Sequence, residues 1–360
     1  MSVLMKKYDP LREPPLWLAM GIWISLLSVF TPCGHTQPPV LSLGESVPRE
    51  VREIYDRGLQ FLATSQSDEG NWKGNNDNGA GITGLATMVF LASGEDPNFG
   101  LYSNNVRRAI RNIIQNQDPI TGYIGENSMY HHGFAMLALA EAYGTLDDRD
   151  LWSADEKRGR PIGKSLELAV RLAITSQKKN PSGAWRYSPD ATDADTSVSG
   201  SVLVGLLAAR NAGIEVPDKS IDQAVRYFQE MTSDSGEVAY TGGLGGFGES
   251  SARSSIATLV YAVARRKDLP EFKATLHYLI DHLESRNNAY PEYTRYYQAQ
   301  ALFQGDLEAW QKWNTLLVRQ LKAAQAPDGS ITSPHGKTVG TSMSLLALAL
   351  NYRFLPIYER

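Results

Sequence analysis

The feature that most constrains this chain is a regular alternation of two kinds of helical segment. One kind is charged on one side: Arg49, Glu50, Arg52, Glu53 and Asp56 surround Val51, Ile54 and Tyr55. Such a helix buries a single stripe. The other kind is nearly uncharged, as in ITGLATMVFLA, FAMLALAEA, SVSGSVLVGLLAA and TSMSLLALAL. A helix apolar all round is buried all round. From Val47 onward the two kinds form six pairs: Arg49–Ser65 with Ile82–Ala92, Asn105–Asn116 with His132–Tyr143, Gly163–Ser176 with Ser197–Asn211, Ile221–Met231 with Ser254–Arg265, Phe272–Glu284 with Thr294–Phe303, and Leu307–Ala324 with Val339–Asn351. The period is about fifty residues, long for a simple solenoid but sufficient for two helices and a working loop. Strand-like alternation is scarce. The pattern predicts an all-α protein with an inner ring of buried helices inside an outer ring of amphipathic ones. Six units would close such a double ring; periodicity alone equally allows an open stack.

The loop between the members of a pair has its own signature. In RGLQFLATSQSDEGNW the first amphipathic segment runs to Gln66, and Gly70-Asn71-Trp72 follows. The pattern recurs as Gln177…Gly183-Ala184-Trp185 and decays to Gln117…Gly122-Tyr123 and Gln325…Gly329-Ser330. Glycine lets the chain leave a helix with positive φ. The glutamine can bond orphan groups at the helix end, with its amide on the Trp72 indole. The loop therefore reads as a structural clasp joining outer to inner helix.

Ahead of the repeats, Lys6, Lys7 and Arg12 precede the uncharged run Leu16 to Phe30, short for a spanning helix and suited to a signal-peptide core. Residues 1–36 read as a signal peptide or retained membrane anchor, 37–46 as a linker, and 47–360 as the helical repeat domain. The expectation is an exported, periplasmic or cell-envelope protein, membrane-associated through the N-terminal segment if that segment is kept. The net charge of -4 gives no basic stripe for nucleic acid. Cys33 is the single cysteine, which excludes an intrachain disulfide and a cysteine-rich zinc site.

The stretch Arg57-Gly58-x-x-Phe61-Leu62-x-x-x-Gln66-x-x-x-Gly70-x-Trp72 resembles the QW repeat of squalene and oxidosqualene cyclases, to which protein prenyltransferase β subunits carry related repeats. The resemblance runs from Val47 to the end. It implies an α/α toroid of six inner and six outer helices around a central cavity. Gly183-Ala184-Trp185-Arg186-Tyr187, Asp195-Thr196-Ser197-Val198-Ser199-Gly200 and the ending from Tyr352 to Tyr358 look like a planctomycete-type subgroup with a single toroid.

In a toroid the loops before the inner helices open to one end, where helix N-termini present free N–H groups and partial positive charge. Asp190, Asp193 and Asp195 crowd that position in the third unit. Type II terpene cyclases protonate an alkene with an Asp-x-Asp-Asp motif, and Asp193-Ala194-Asp195-Thr196 is similar to it, with Thr196 in the last place. Crowded carboxylates help to keep one protonated. Asp193 and Asp195 are thus the candidate acids; the alternative for Asp195 is an ordinary helix cap. Tyr130, His131, His132, Trp185, Tyr187, Tyr293, Arg295, Tyr296 and His335 are candidate cavity residues, and Glu249 with Arg253 a candidate pair across a helix start. Aromatic faces stabilise cations and hold apolar chains. Adjacent histidines diverge on a helix, and the prenyltransferase zinc set of Asp, Cys and His is incomplete, so no metal or other cofactor is expected. Glycines 242 to 248 lack the Lys-Ser/Thr of a phosphate loop. Two functions follow. One is a terpene-cyclase-like enzyme, of isomerase or lyase class if active, acting on an isoprenoid or other apolar small molecule. The other is a non-catalytic exported module that binds a lipid, glycan or protein segment.

Overall fold

The computed structural model describes residues 47–75, 79–125, 128–149, 151–152, 159–242, 251–283 and 290–358. The expected signal segment or anchor with Cys33, the expected linker and Glu249 lie outside these residues. Twelve α-helices occupy the described chain: α1 (Arg49–Ser65), α2 (Ala80–Leu91), α3 (Ser103–Gln115), α4 (Met129–Ala142), α5 (Ile162–Lys179), α6 (Thr196–Asn211), α7 (Asp218–Met231), α8 (Ser251–Val263), α9 (Pro270–Asp281), α10 (Pro291–Gly305), α11 (Leu307–Ala324) and α12 (Lys337–Ala349). Extended pairing among the described residues is confined to isolated bridges.

The two kinds of helix take the two predicted places. Along α6 every residue from Thr196 to Ala209 is buried, whereas α1 buries only Val51, Ile54, Tyr55, Gly58, Leu59 and Leu62. Full burial of one such aliphatic side chain is worth about 1.5–3 kcal/mol, so the even-numbered helices form the core. Each packs on the next, α2 on α4, then α6, α8, α10 and α12, and α12 packs back on α2. The inner ring is closed, and the chain is an α/α toroid rather than an open stack. The outer helix α1 meets α11 and α12 at the seam.

The clasp works between neighbouring outer helices. Gln66 Nε2 donates to Gly70 O at 2.9 Å and to Asn105 O, at the start of α3, at 3.0 Å. Gln117 repeats this on Gly122 and Ser165, Gln177 on Gly183 and Ser220, and Gln325 on Gly329 and Ile54. The amide therefore joins one outer helix to the next, instead of lying on the indole. Glycine is required at Gly70 twice over. Its φ is +88°, and a Cβ there would sit 2.4 Å from Arg108 O. Trp72 and Trp185 lie fully buried behind their clasps and donate from Nε1 to Leu62 O and Ala173 O.

At the far end of the ring Leu355 and Ile357 are buried next to a short 3₁₀ turn. The Ile357 N–H bonds the carboxyl of Glu141, near the end of α4. Among the described residues no helix is long and apolar enough to cross a membrane.

Candidate functional site

The inner-helix N-termini surround a cavity of about 930 Å³, within the range of small-molecule sites. Ile82 and Leu85 of α2 and Val339 and Met343 of α12 make one side aliphatic. The other side carries Tyr187, Tyr240, Ser197, Ala252 and Arg253, from the starts of α6 and α8. Tyr130 and Phe134 of α4 and Tyr293 of α10 also line it, with Asn75, His131, Tyr290 and His335 toward the first and last units.

Local sequence sets these positions. Ser128 caps α4, its hydroxyl accepting from Tyr130 N, and Met129 N donates to Tyr187 O, which ties two mouth loops together. His131 lies against the start of α2, where a Cβ on Gly81 would come within 2.7 Å of the His131 Cα. Glycine there lets α2 and α4 approach. On the seam side, Asn75 N donates to His335 O and the His335 ring stacks on Tyr290 at 5.4 Å.

The tyrosines form two hydroxyl pairs. Tyr187 and Tyr240 meet at 2.8 Å, and Tyr130 and Tyr293 at 3.3 Å. Ser197 is a hydrogen-bonding neighbour of both Tyr130 and Tyr293. Burial holds Tyr130, Tyr293, Tyr240 and the deeper Tyr297 well above the ordinary phenol range, so all four stay neutral. Behind the first pair stands Arg186, its guanidinium 5.6 Å from the centroids of both Tyr187 and Tyr240, within cation–π reach.

Arg186 also links the two candidate acids, at 3.4 Å from Asp193 and 3.9 Å from Asp195. The two differ sharply. Asp193 is a solvated surface carboxylate, and Asp190 pairs with Lys179 away from it. Asp195 is fully buried one layer behind the lining, where its Oδ1 accepts from Val198 N at 2.7 Å as the cap of α6. Its Oδ2 has no hydrogen-bond partner. Burial outweighs the cap and Arg186 and pushes the carboxyl up to about 6.

Of the residues singled out in the sequence, Tyr130, His131, Tyr187, Arg253, Tyr293 and His335 are brought together on the cavity. His132, Trp185, Arg295 and Tyr296 are not on its described lining. His132 turns outward: Nδ1 accepts from Ile124 N, Nε2 donates to Ala169 O, and burial pushes the imidazole down to about 4. Trp185 is used by its clasp. Tyr296 packs edge-on beneath Phe134 at 6.1 Å. Arg295 lies half-buried, and burial pulls its guanidinium below the ordinary value against the opposing charge of Glu292. Arg253 donates from Nε to Val238 O. Ser197, Tyr240, Phe134 and Tyr290 are among the lining residues that sequence reading passed over. Ser197 stands two residues after the Asp195 cap of α6 and Tyr240 precedes α8, the places where lining is expected in a toroid.

Known proteins share the architecture at low identity. The type II terpene cyclase MstE from Scytonema superposes with a TM-score of 0.59 at 14% identity, over 85% of this chain and 99% of that one. A variant of that cyclase in complex with its substrate geranylgeranyl dihydroxybenzoate gives 0.59 at 12%, over 85% and 98%. The GH76A α-1,6-mannanase from Salegentibacter sp. HEL1_6 gives 0.61 at 10%, over 84% and 99%. At such identity the likeness is one of fold. No curated protein sequence matches the chain. Residues 51–277, well over half of the chain, match the family described as a domain of unknown function, DUF6288, and the protein belongs to that family.

Proposed function

We propose that the protein holds an elongated apolar small molecule, of isoprenoid or similar character, in the cavity at the inner-helix N-termini. The observation that carries this reading is the division of the cavity walls. Ile82, Leu85, Val339 and Met343 offer a dry aliphatic side, and Tyr130, Tyr240 and Tyr293 present aromatic faces with neutral hydroxyls to the same space. That combination favours a chain-like apolar body over a glycan, which needs hydrogen-bonding groups on every side. The terpene cyclase among the fold neighbours was solved with a geranylgeranyl-bearing substrate, and the resemblance of the sequence to the QW repeat supports the same reading. Export through the segment Leu16 to Phe30 belongs to this proposal.

Acid chemistry is the second reading, and one observation favours it. The Asp195 carboxyl is pushed up to about 6 and keeps one buried oxygen without a hydrogen-bond partner, Arg186 standing 3.9 Å from it, so a share of it is protonated close to neutral pH. Its place behind the lining argues for ligand binding first and protonation second. Asp193, solvated on the surface, fits the assisting role of holding Arg186 rather than the donor role.

Native mass spectrometry of the full chain, purified without harsh detergent, tests the proposal. The expected result is a co-purifying or added isoprenoid lipid, lost in Leu85→Trp, which fills the aliphatic side. Failure to retain any isoprenoid, with retention of a glycan or peptide instead, would move the function to the binding-module alternative.

A further inference from the structure

The cavity contains one place where hydroxyl groups converge without a charged side chain among them. Tyr130 comes from α4, Tyr293 from α10 and Ser197 from α6. The two phenols are 3.3 Å apart, longer than the 2.5–3.0 Å usual for an O–H···O bond. Each hydroxyl has one donor and two acceptor lone pairs. A chain of two bonds within the trio uses two of its three protons and leaves one to donate outward. All three side chains line the cavity. A ligand oxygen inserted beside the phenols would replace a loose contact with well-formed bonds. Asp195 projects negative charge onto Tyr130, which disfavours an anionic group there.

We propose that Tyr130, Tyr293 and Ser197 form a recognition subsite for a neutral oxygen, an alcohol or carbonyl, at one end of an otherwise apolar ligand. This rests on the apolar-ligand reading and specifies which member of that class is selected. A pure hydrocarbon would leave the trio unpaired by ligand, and a carboxylate or phosphate would meet the field of Asp195.

The test compares three C15 isoprenoids, an alcohol, the matching hydrocarbon and the matching carboxylate, for binding to the full-length protein by native mass spectrometry and competition. The alcohol should bind roughly ten-fold more tightly than the hydrocarbon, the fold-change of one net hydrogen bond. Tyr293→Phe, and separately Tyr130→Phe, should abolish that preference by weakening the alcohol far more than the hydrocarbon. Thermal melts monitored by circular dichroism would show that both variants remain folded. Equal binding of alcohol and hydrocarbon by the unaltered protein overturns the subsite while leaving the apolar-ligand reading standing. Equal weakening of both ligands by the Phe variants, or preference for the carboxylate, also overturns it. Binding of none of the three sinks both proposals together.

Discussion

Tyr130 and Tyr293 touch hydroxyl to hydroxyl across the inner ring, from α4 and α10, helices separated by two others whichever way the ring is followed. The contact braces opposite walls of the cavity as well as lining it. Tyr293 also packs edge-on against Tyr297 at 5.0 Å, so its ring carries more of the brace than its hydroxyl. Tyr293→Phe is expected to cost about 1 kcal/mol or less, and Tyr293→Ala about 3–5 kcal/mol. Urea unfolding of the two variants measures the difference; equal losses would assign the brace to the hydroxyl pair.

The seam of the toroid depends on Gln325, whose amide reaches Ile54 O across 271 residues. Gln325→Ala removes two bonds to carbonyls at a helix junction and should lower stability by about 2 kcal/mol. Gln325→Glu is the sharper variant. Its carboxylate would face Gly329 O and Ile54 O with acceptors only, so the damage should exceed that of alanine at neutral pH. It should shrink as acid protonates the new carboxyl. Denaturant midpoints at pH 7 and pH 4.5 would show this, and a pH-independent loss would contradict the clasp as a donor device.

The architecture was legible because burial writes itself into composition. Helices such as α2 and α6 are nearly uncharged since almost every face meets another helix. α10 is the exception that periodicity alone reads poorly: Glu292, Gln298, Gln300 and Gln304 are all buried in it. Ring closure was implied by the resemblance and by the count of six units, but periodicity alone allowed an open stack, because closure rests on distant pairings such as Gln325 with Ile54. The lining was legible only in part. Tyr130 and Tyr293 precede or begin inner helices, but whether the next residue faces the cavity depends on about 100° of helical rotation per residue. Hence His131 lines the cavity and His132 does not.

Stability should fall as pH rises from 6.5 to 8, and one residue is responsible. Glu141 is buried and keeps its proton up to about 8, whereas the unfolded chain releases it near 4.5. Between those values the folded state binds more protons, so stability declines with rising pH. His132 has the opposite sign. It stays neutral in the fold down to about 4 and takes its proton near 6.5 when unfolded, so its contribution to stability is lost as pH falls from 6.5 to 4. Asp195 shares the sign of Glu141 but is finished by about 6. Of these three groups only Glu141 titrates between 6.5 and 8. Its loss there should amount to a few kcal/mol at most. Glu141→Gln, which can still accept the Ile357 N–H, should flatten this limb of the stability profile. An unchanged slope in the variant would remove Glu141 as its source.

Asp195 combines a cap with a possible proton source, and two substitutions separate the roles. Asn is as good an N-cap as Asp, and Asp195→Asn keeps an acceptor for Val198 N while removing a buried charge. Its stability should exceed that of the unaltered protein at pH 5, and by more at pH 8, because the cost of ionising a buried carboxyl, incurred between about 3.8 and 6, is gone. Asp195→Ala loses the cap and should be less stable by about 0.5–2 kcal/mol at both pH values. Ligand selection supplies the independent readout. Without the Asp195 charge, the field on Tyr130 relaxes, and a carboxylate-ended isoprenoid should gain affinity relative to the alcohol in Asp195→Asn. If a substrate is turned over, loss of turnover in Asp195→Asn with both fold and binding intact identifies the proton donor. Full turnover in that variant leaves Asp195 as a cap whose charge tunes the tyrosines in front of it.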